Sequence, residues 1–157
     1  VEERPSVEIV SVDPSRLDAF VEGVAAVEEE SAPGSVDPEA VRSVAREIVA
    51  DAAGPRRIVA AAAGDRVVAY ATWVAIPKLD ARRGFAFVDE LRVLSAWRRR
   101  GIARRLVEHI AEDAAALGLA GVRLLVLPGN AAARRLYAST GFTEHETIFA
   151  ERLGGVR

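Results

Sequence analysis

Five arginines, Arg98, Arg99, Arg100, Arg104 and Arg105, crowd one short stretch of the chain around a lone glycine, Gly101. The apolar residues that follow recur with a period of 3.6. Ile102, Leu106, Ile110, Ala114 and Leu117 fall on one stripe, so the arginines stand at the start of a helix that Gly118 stops. That placement is backwards for a free helix, whose N-terminus carries about half a positive charge and is destabilised by roughly 0.3 to 1 kcal/mol per exposed cation. An anion reverses the sign. Unpaired N–H groups at a helix start bind phosphate, and Gly101 with the small Ala103 lets a bulky group approach the main chain. The pattern reads as a diphosphate cradle. Other phosphate-binding patterns fail: a P-loop needs Gly-Lys and none exists, and the dinucleotide fingerprint needs three spaced glycines where Gly101 stands alone.

The elements that must hold this cradle follow from patterning. Val7 and Ile9 open a first strand, and Asp13-Pro14 supplies an N-cap followed by proline at the first helical position, predicting a helix to about Ala26. Glu28-Glu29-Glu30 and Ser31 to Gly34 read as a solvated helix end and loop. Asp37-Pro38 then repeats the cap for a second helix ending near Gly54-Pro55. Ile58–Ala63 and Arg66–Ile76 flank Gly64-Asp65, a two-residue hairpin turn. Gly84–Leu94 is a third alternating strand, with Phe85, Phe87, Asp89, Leu91 and Val93 on one face and Ala86, Val88, Glu90, Arg92 and Leu94 on the other. After the arginine-led helix, Val122–Leu127 is a short buried strand. Asn130 caps a helix to about Thr140, and Phe142 onward reads as terminal strands. Strand, helix and strand from Gly84 to Leu127 imply a parallel pair joined by a right-handed crossover, beside strands that are antiparallel. The expected fold is a mixed α/β sandwich, with a mostly antiparallel sheet of six to seven strands and about four helices.

Composition narrows the chemistry. The chain has 157 residues, 50% hydrophobic and 28% charged, which is enough for one core and predicts a single domain over residues 1–157. Cysteine is absent, which removes disulfides, thiolate nucleophiles and zinc sites with Cys ligands, and the two histidines, His109 and His145, are read as surface residues. A net charge of −2 gives the whole molecule no electrostatic reason to seek nucleic acid or an anionic membrane, so any basic site is local. The longest apolar stretch, Val67 to Ile76, falls far short of the ~20 residues a spanning helix needs. No secretory signal is visible at the N-terminus, and a cytoplasmic location is the expectation.

Arg98-Arg99-Arg100-Gly101-Ile102-Ala103 resembles the Arg/Gln-x-x-Gly-x-Gly/Ala signature of the GCN5-related N-acetyltransferases (GNAT). Asp89 to Val93 is similar to that family's fourth strand, and Asn130 to Phe142 is similar to its Asn…Leu/Phe-Tyr…Gly-Phe segment. The resemblance covers roughly Ile58 to Arg152. It departs at Leu94-Ser95-Ala96, where many members have a proline, and at Ala103, where many have glycine.

The resemblance implies a GNAT-like acyl-CoA N-acyltransferase fold and an acetyl-CoA-dependent N-acetyltransferase acting on a primary amine of a small molecule or peptide. Backbone groups of Leu91, Arg92 and Val93 would pair with the pantetheine arm, in a cleft where the fourth and fifth strands splay. The N–H groups from Arg99 through Gly101, Ile102 and Ala103 to Arg104 would hold the diphosphate, with Arg98 and Arg100 beside it. Asn130 would contact the pantetheine or cap its helix. Transfer needs an oxyanion contact, assigned to a backbone N–H near Val93, a proton donor for the thiolate, assigned to Tyr137, and a base acting through water, assigned to Glu90 or Asp89. Strand alternation sets those two carboxylates on opposite faces unless a bulge intervenes, and Glu90 is preferred. A salt bridge to Arg92 or another arginine is the purely structural alternative for either. No metal, nucleic acid or membrane partner is expected, and the assembly expected is a monomer or homodimer. The rival readings are a non-catalytic acyl-CoA-binding domain and a nucleic-acid contact made by the arginine cluster.

Overall fold

The computed structural model describes residues 5–79, 83–146 and 150. Five strands form one sheet in the order of the chain: β1 (Glu8–Ser11), β2 (Arg56–Ala63), β3 (Arg66–Ile76), β4 (Phe85–Val93) and β5 (Val122–Leu124). The first three neighbour pairs are antiparallel and β4–β5 is parallel. Four helices flank it: α1 (Leu17–Ser31), α2 (Pro38–Ala50), α3 (Ile102–Ala116) and α4 (Ala131–Ser139). The mixed sheet and the helix count match the expectation; the strand count does not. Phe142 to Glu146 form no strand, so the terminal strands expected from Phe142 are absent among the described residues, and the remainder of that stretch lies mostly outside them.

Local signals explain most boundaries. Asp13 caps a 3-10 turn, accepting from the N–H groups of Ser15 and Arg16 before α1 begins, and Asp37 accepts from Glu39 N–H at the start of α2. Gly64 takes φ +61° in the two-residue turn between β2 and β3, a conformation open to glycine without steric cost. α1 outruns its predicted end at Ala26 by a full turn, because Glu28 and Glu30 find partners on the sheet and its edge.

α1 packs on β3 and on α2, while α3 packs across β1 to β4 on the other face of the sheet. On the α1 side Phe20 meets Tyr70 edge-on, with ring centroids 5.6 Å apart. Trp73, Leu106 and Ile110 are fully buried among the largest side chains of the core. Truncating any one of the three to alanine would cost about 2 to 5 kcal/mol.

Candidate active site

The site is organised by one extra residue in β4. Trp73 of β3 pairs with Val88 and Thr72 pairs with Glu90, leaving Asp89 without a cross-strand partner. This is a β-bulge, and it inverts everything beyond it. Ala86 sends its N–H toward β5, to Gly121 O at 2.9 Å, whereas Leu94, also even-numbered, sends its N–H toward β3, to Val68 O at 3.0 Å. Before the bulge Val88 shares the face of Trp73. After it, Glu90 and Arg92 share the face of Thr72 and Tyr70, beneath α1. The unbroken alternation read from the sequence, which set Glu90 with Val88 and Asp89 with Leu91, is therefore corrected. The bulge brings Glu90 into a polar cluster with Thr72 and leaves Asp89 outside it, and both residues are exposed.

The same inversion makes an open edge. The β4–β5 ladder stops at Val88 and Leu124, one residue before the bulge, so β5 is three residues long instead of the expected six. Past that point β4 has no neighbour among the described residues on this side. The ladder parity turns the N–H and C=O groups of Leu91 and Val93 outward there, and those of Arg92 inward to β3. An exposed edge of this kind is a template for an extended, amide-bearing ligand.

The edge leads directly into the arginine loop. Arg99 has φ +57° and Gly101 has φ +74°, left-handed conformations of the kind that curl successive N–H groups into an anion-binding concavity. Gly101 is the N-cap of α3, and no side chain caps the helix. Arg105 N–H is the first to bond back, to Gly101 O at 3.1 Å, so the four N–H groups before it carry no helical bond. No acidic residue stands in the first turn. These features fit a diphosphate. The arginine side chains divide their attention. Arg98 Nε donates to Val93 O at 3.0 Å and its guanidinium lies 3.9 Å from Glu30, while Arg100 stacks on Trp97 at 4.8 Å. Arg104 reaches Ser139 on α4 and Glu108, and Arg105 donates to Val7 O. The last two brace α3 against its neighbours.

A cluster of polar side chains lies between the sheet and α1. Thr72 Oγ1 donates to Glu90 Oε2 at 3.3 Å. Tyr70 Oη and Arg92 Nε both donate to Glu28 Oε1, at 3.0 and 3.3 Å. Glu90's pKa is raised above the ordinary 4.5, first by desolvation and then by the charges of Asp89 and Glu28, against the lowering bond from Thr72 and the Arg92 charge. Burial, then the charges of Glu90 and Glu28, push the Tyr70 phenol far above its usual range, so it stays a hydrogen-bond donor. Arg92 is bound to Glu28. Among the described residues it forms no ion pair with Glu90 or Asp89. Glu30 accepts from Ser95 N–H at 2.9 Å and from Ser95 Oγ at 2.8 Å, which fastens α1 to the start of the arginine loop and lowers the Glu30 pKa. The reading of Glu28 to Glu30 as a solvated helix end is thus corrected: Glu28 and Glu30 hold the site, and Glu29 closes the following turn by accepting from Gly34 N–H.

Tyr137 lies on α4, half-buried against Phe142, beside Leu124, Val126 and Pro128 at the C-terminal end of β5. Burial raises its pKa. No hydrogen bond joins it to Glu90 among the described residues. Asn130 is the N-cap of α4, its Oδ1 accepting from Ala133 N–H at 3.1 Å. His145 is exposed, and His109 lies half-buried on α3 beside Asp113, away from this cluster. The described residues contain no group of three or more His, Cys, Asp or Glu able to hold a metal, and none of their helices is long and apolar enough to cross a membrane.

The sequence profile of the Acetyltransferase (GNAT) family matches residues 22–142. No curated protein matches the chain. Among solved structures, AAC(6')-Iy in complex with the bisubstrate analog CoA-S-monomethyl-acetylneamine superposes with a TM-score of 0.79 at 18% identity, over 96% of this chain and 99% of that one. A possible acetyltransferase from Clostridium difficile 630 gives 0.77 at 19% identity, covering 94% and 97%. An aminoglycoside acetyltransferase from an uncultured soil metagenomic sample gives 0.78 at 16%, covering 94% and 95%. At these identities the likeness is one of fold.

Proposed function

Because the chain belongs to the acetyltransferase (GNAT) family, we propose that it transfers the acetyl group of acetyl-CoA to a primary amine of a small molecule or peptide, by direct attack in a ternary complex. One observation carries the reading. The unpaired edge of β4 past Val88 runs without interruption into the uncapped start of α3, so one continuous stretch of main chain offers a strand-like partner and then an anion cradle. The solved structures of similar fold include an aminoglycoside acetyltransferase and a complex with a CoA bisubstrate analog, which supports a small amine as acceptor.

Acetyl-CoA supplies a thioester whose carbonyl carbon the amine attacks and whose sulfur leaves as a thiolate. Leu91 and Val93 pair the amide-bearing arm along the β4 edge, and the N–H groups from Arg99 to Arg104 take the diphosphate. Arg98 and Arg100 supply positive charge beside it, and Asn130 adds an amide contact from the α4 cap. Positioning of this kind is the larger contribution, roughly 7 to 11 kcal/mol. The outward N–H of Val93 donates to the thioester oxygen as charge develops there. Glu90 takes the acceptor's proton through water, and its raised pKa fits a base that must compete for that proton. Asp89 is the alternate base. Tyr137 gives its phenolic proton to the departing sulfur, and burial keeps that phenol protonated until then.

The test is acetyl-CoA thiol release against sisomicin, spermidine and a free peptide N-terminus, with calorimetry of CoA binding alongside. Acceptor-dependent release is expected, and Glu90→Gln lowers kcat by about 10²- to 10⁴-fold with CoA affinity retained. Binding of CoA without release across an amine panel would make the chain a non-catalytic acyl-CoA-binding domain. No heat with CoA would remove the donor assignment altogether.

A further inference from the structure

Glu28 lies outside every motif of the chain, in the last turn of α1, with its side chain only 21% exposed. A carboxylate does not accept that much burial without partners, and it has two. Tyr70 and Arg92, directly opposite each other across β3 and β4, both donate to the same oxygen, Oε1. The next cross-strand pair on this face is Thr72 and Glu90. Four side chains therefore form two adjacent rungs, with Glu28 over one and Glu90 in the other.

The placement of Arg92 is the informative part. It stands two residues from Glu90 on the same face of the same strand, near enough for its charge to bear on the Glu90 carboxyl. A guanidinium left to itself there would turn to Glu90, form a charge-assisted pair and lower its affinity for a proton. Glu28 occupies the guanidinium instead. We propose that Glu28 is a positioning residue for the base: by engaging Arg92 from α1, it withholds that cation from Glu90 and keeps the Glu90 carboxylate available for the acceptor's proton. Glu28 also adds a second negative charge to the face, which acts in the same direction. The charged or titratable groups bearing on Glu90 are Asp89 and Arg92 from β4 and Glu28 from α1, with Tyr70 of β3 bound to Glu28. Thr72 contributes one bond that favours the ionised form.

This inference rests on Glu90 being the base, and its test separates the two. The Glu90 carboxyl is titrated directly by carbon NMR on side-chain-labelled protein, its signal assigned by its loss in Glu90→Gln. In Glu28→Gln the midpoint moves to lower pH, because Arg92 is released toward Glu90 and one repelling charge is gone. In the Glu28→Gln/Arg92→Gln double variant it moves back up. Glu28→Asp, whose shorter arm draws away from Arg92 while keeping the charge, moves it down less and decides the matter if Glu28→Gln does not fold. An unmoved or raised midpoint in the folded single variant overturns the proposal, as does a double variant that stays low. With an acceptor from the thiol-release screen, the acid limb of the rate profile moves down in parallel. If Glu90→Gln leaves turnover intact, the base assignment fails while the titration still judges Glu28.

Discussion

The two sides of the site are made of different material. On the proposed donor side the recognising groups are main-chain: the outward amides of Leu91 and Val93, the left-handed backbone at Arg99 and Gly101, and the free N–H groups at the start of α3. Several side chains there are turned to other tasks, as Arg104 is to Ser139 and Arg105 to Val7 O. On the acceptor side the backbone only delivers. The groups proposed for its chemistry are the side chains of Glu28, Tyr70, Thr72, Glu90 and Arg92, drawn from a helix and two strands. A site of main-chain groups tolerates changes of side chain and fails when the backbone path changes. A site of side chains behaves the other way.

That contrast is open to measurement. The largest effects are expected from side-chain changes that leave the backbone alone, Glu90→Gln first and then Tyr137→Phe. Tyr137→Phe should lower kcat by about 10²-fold with little change in CoA affinity, as steady-state rates and calorimetry would read. Equal losses in both would place the hydroxyl in binding. Gly101→Val is the converse. It forces a β-branched residue to φ +74°, which costs about 1 to 3 kcal/mol, and should weaken CoA binding about ten- to a hundredfold while kcat at saturation changes far less.

Smaller effects come from pH. Turnover should fall on the acid side with a limb above the ordinary glutamate value of 4.5, because the Glu90 pKa is raised and protonation removes the base; a limb at or below 4.5 would point away from Glu90. Glu30 has the opposite sign. Its folded pKa is lowered from 4.5, so its stabilising bonds to Ser95 are present above that value and are lost as pH falls through the depressed one. The Tm gap between the wild type and Glu30→Gln should therefore be open at pH 7 and close below 4.5. A gap constant across that range would dismiss the clasp.

The same division explains what could be read in advance. Caps at Asp13, Asp37 and Asn130, the Gly64-Asp65 turn and the apolar stripe from Ile102 to Ala114 are local, set by residues a few positions apart, and each appears where the sequence put it, whereas Leu117, read onto the same stripe, lies past the end of α3 and is exposed. The uncapped helix start was legible for that reason, since the turn at Gly101 and the helix after it are set by neighbouring residues. The bulge was not legible. Phe85, Phe87, Asp89, Leu91 and Val93 alternate without interruption, and only pairing with β3 reveals Asp89 as the extra residue. Glu28 and Glu30 were misread because their partners lie 42 to 65 residues away. β5 is short because β4 leaves it at Val88, which no property of Leu125 to Leu127 announces.

The bulge has a consequence for how this chain can vary. β4 carries one residue more than β3 between Val88 and Glu90, and Glu90 shares the face of Tyr70 only while that extra residue, Asp89, stays out of the ladder; paired regularly opposite Thr72, it would turn Glu90 to the face of Trp73. Replacing Asp89 by another residue keeps that count. Removing it would leave a regular ladder in which Glu90 follows Val88 directly and still meets Thr72, so what its loss would take away is the kink at the point where β4 leaves β5.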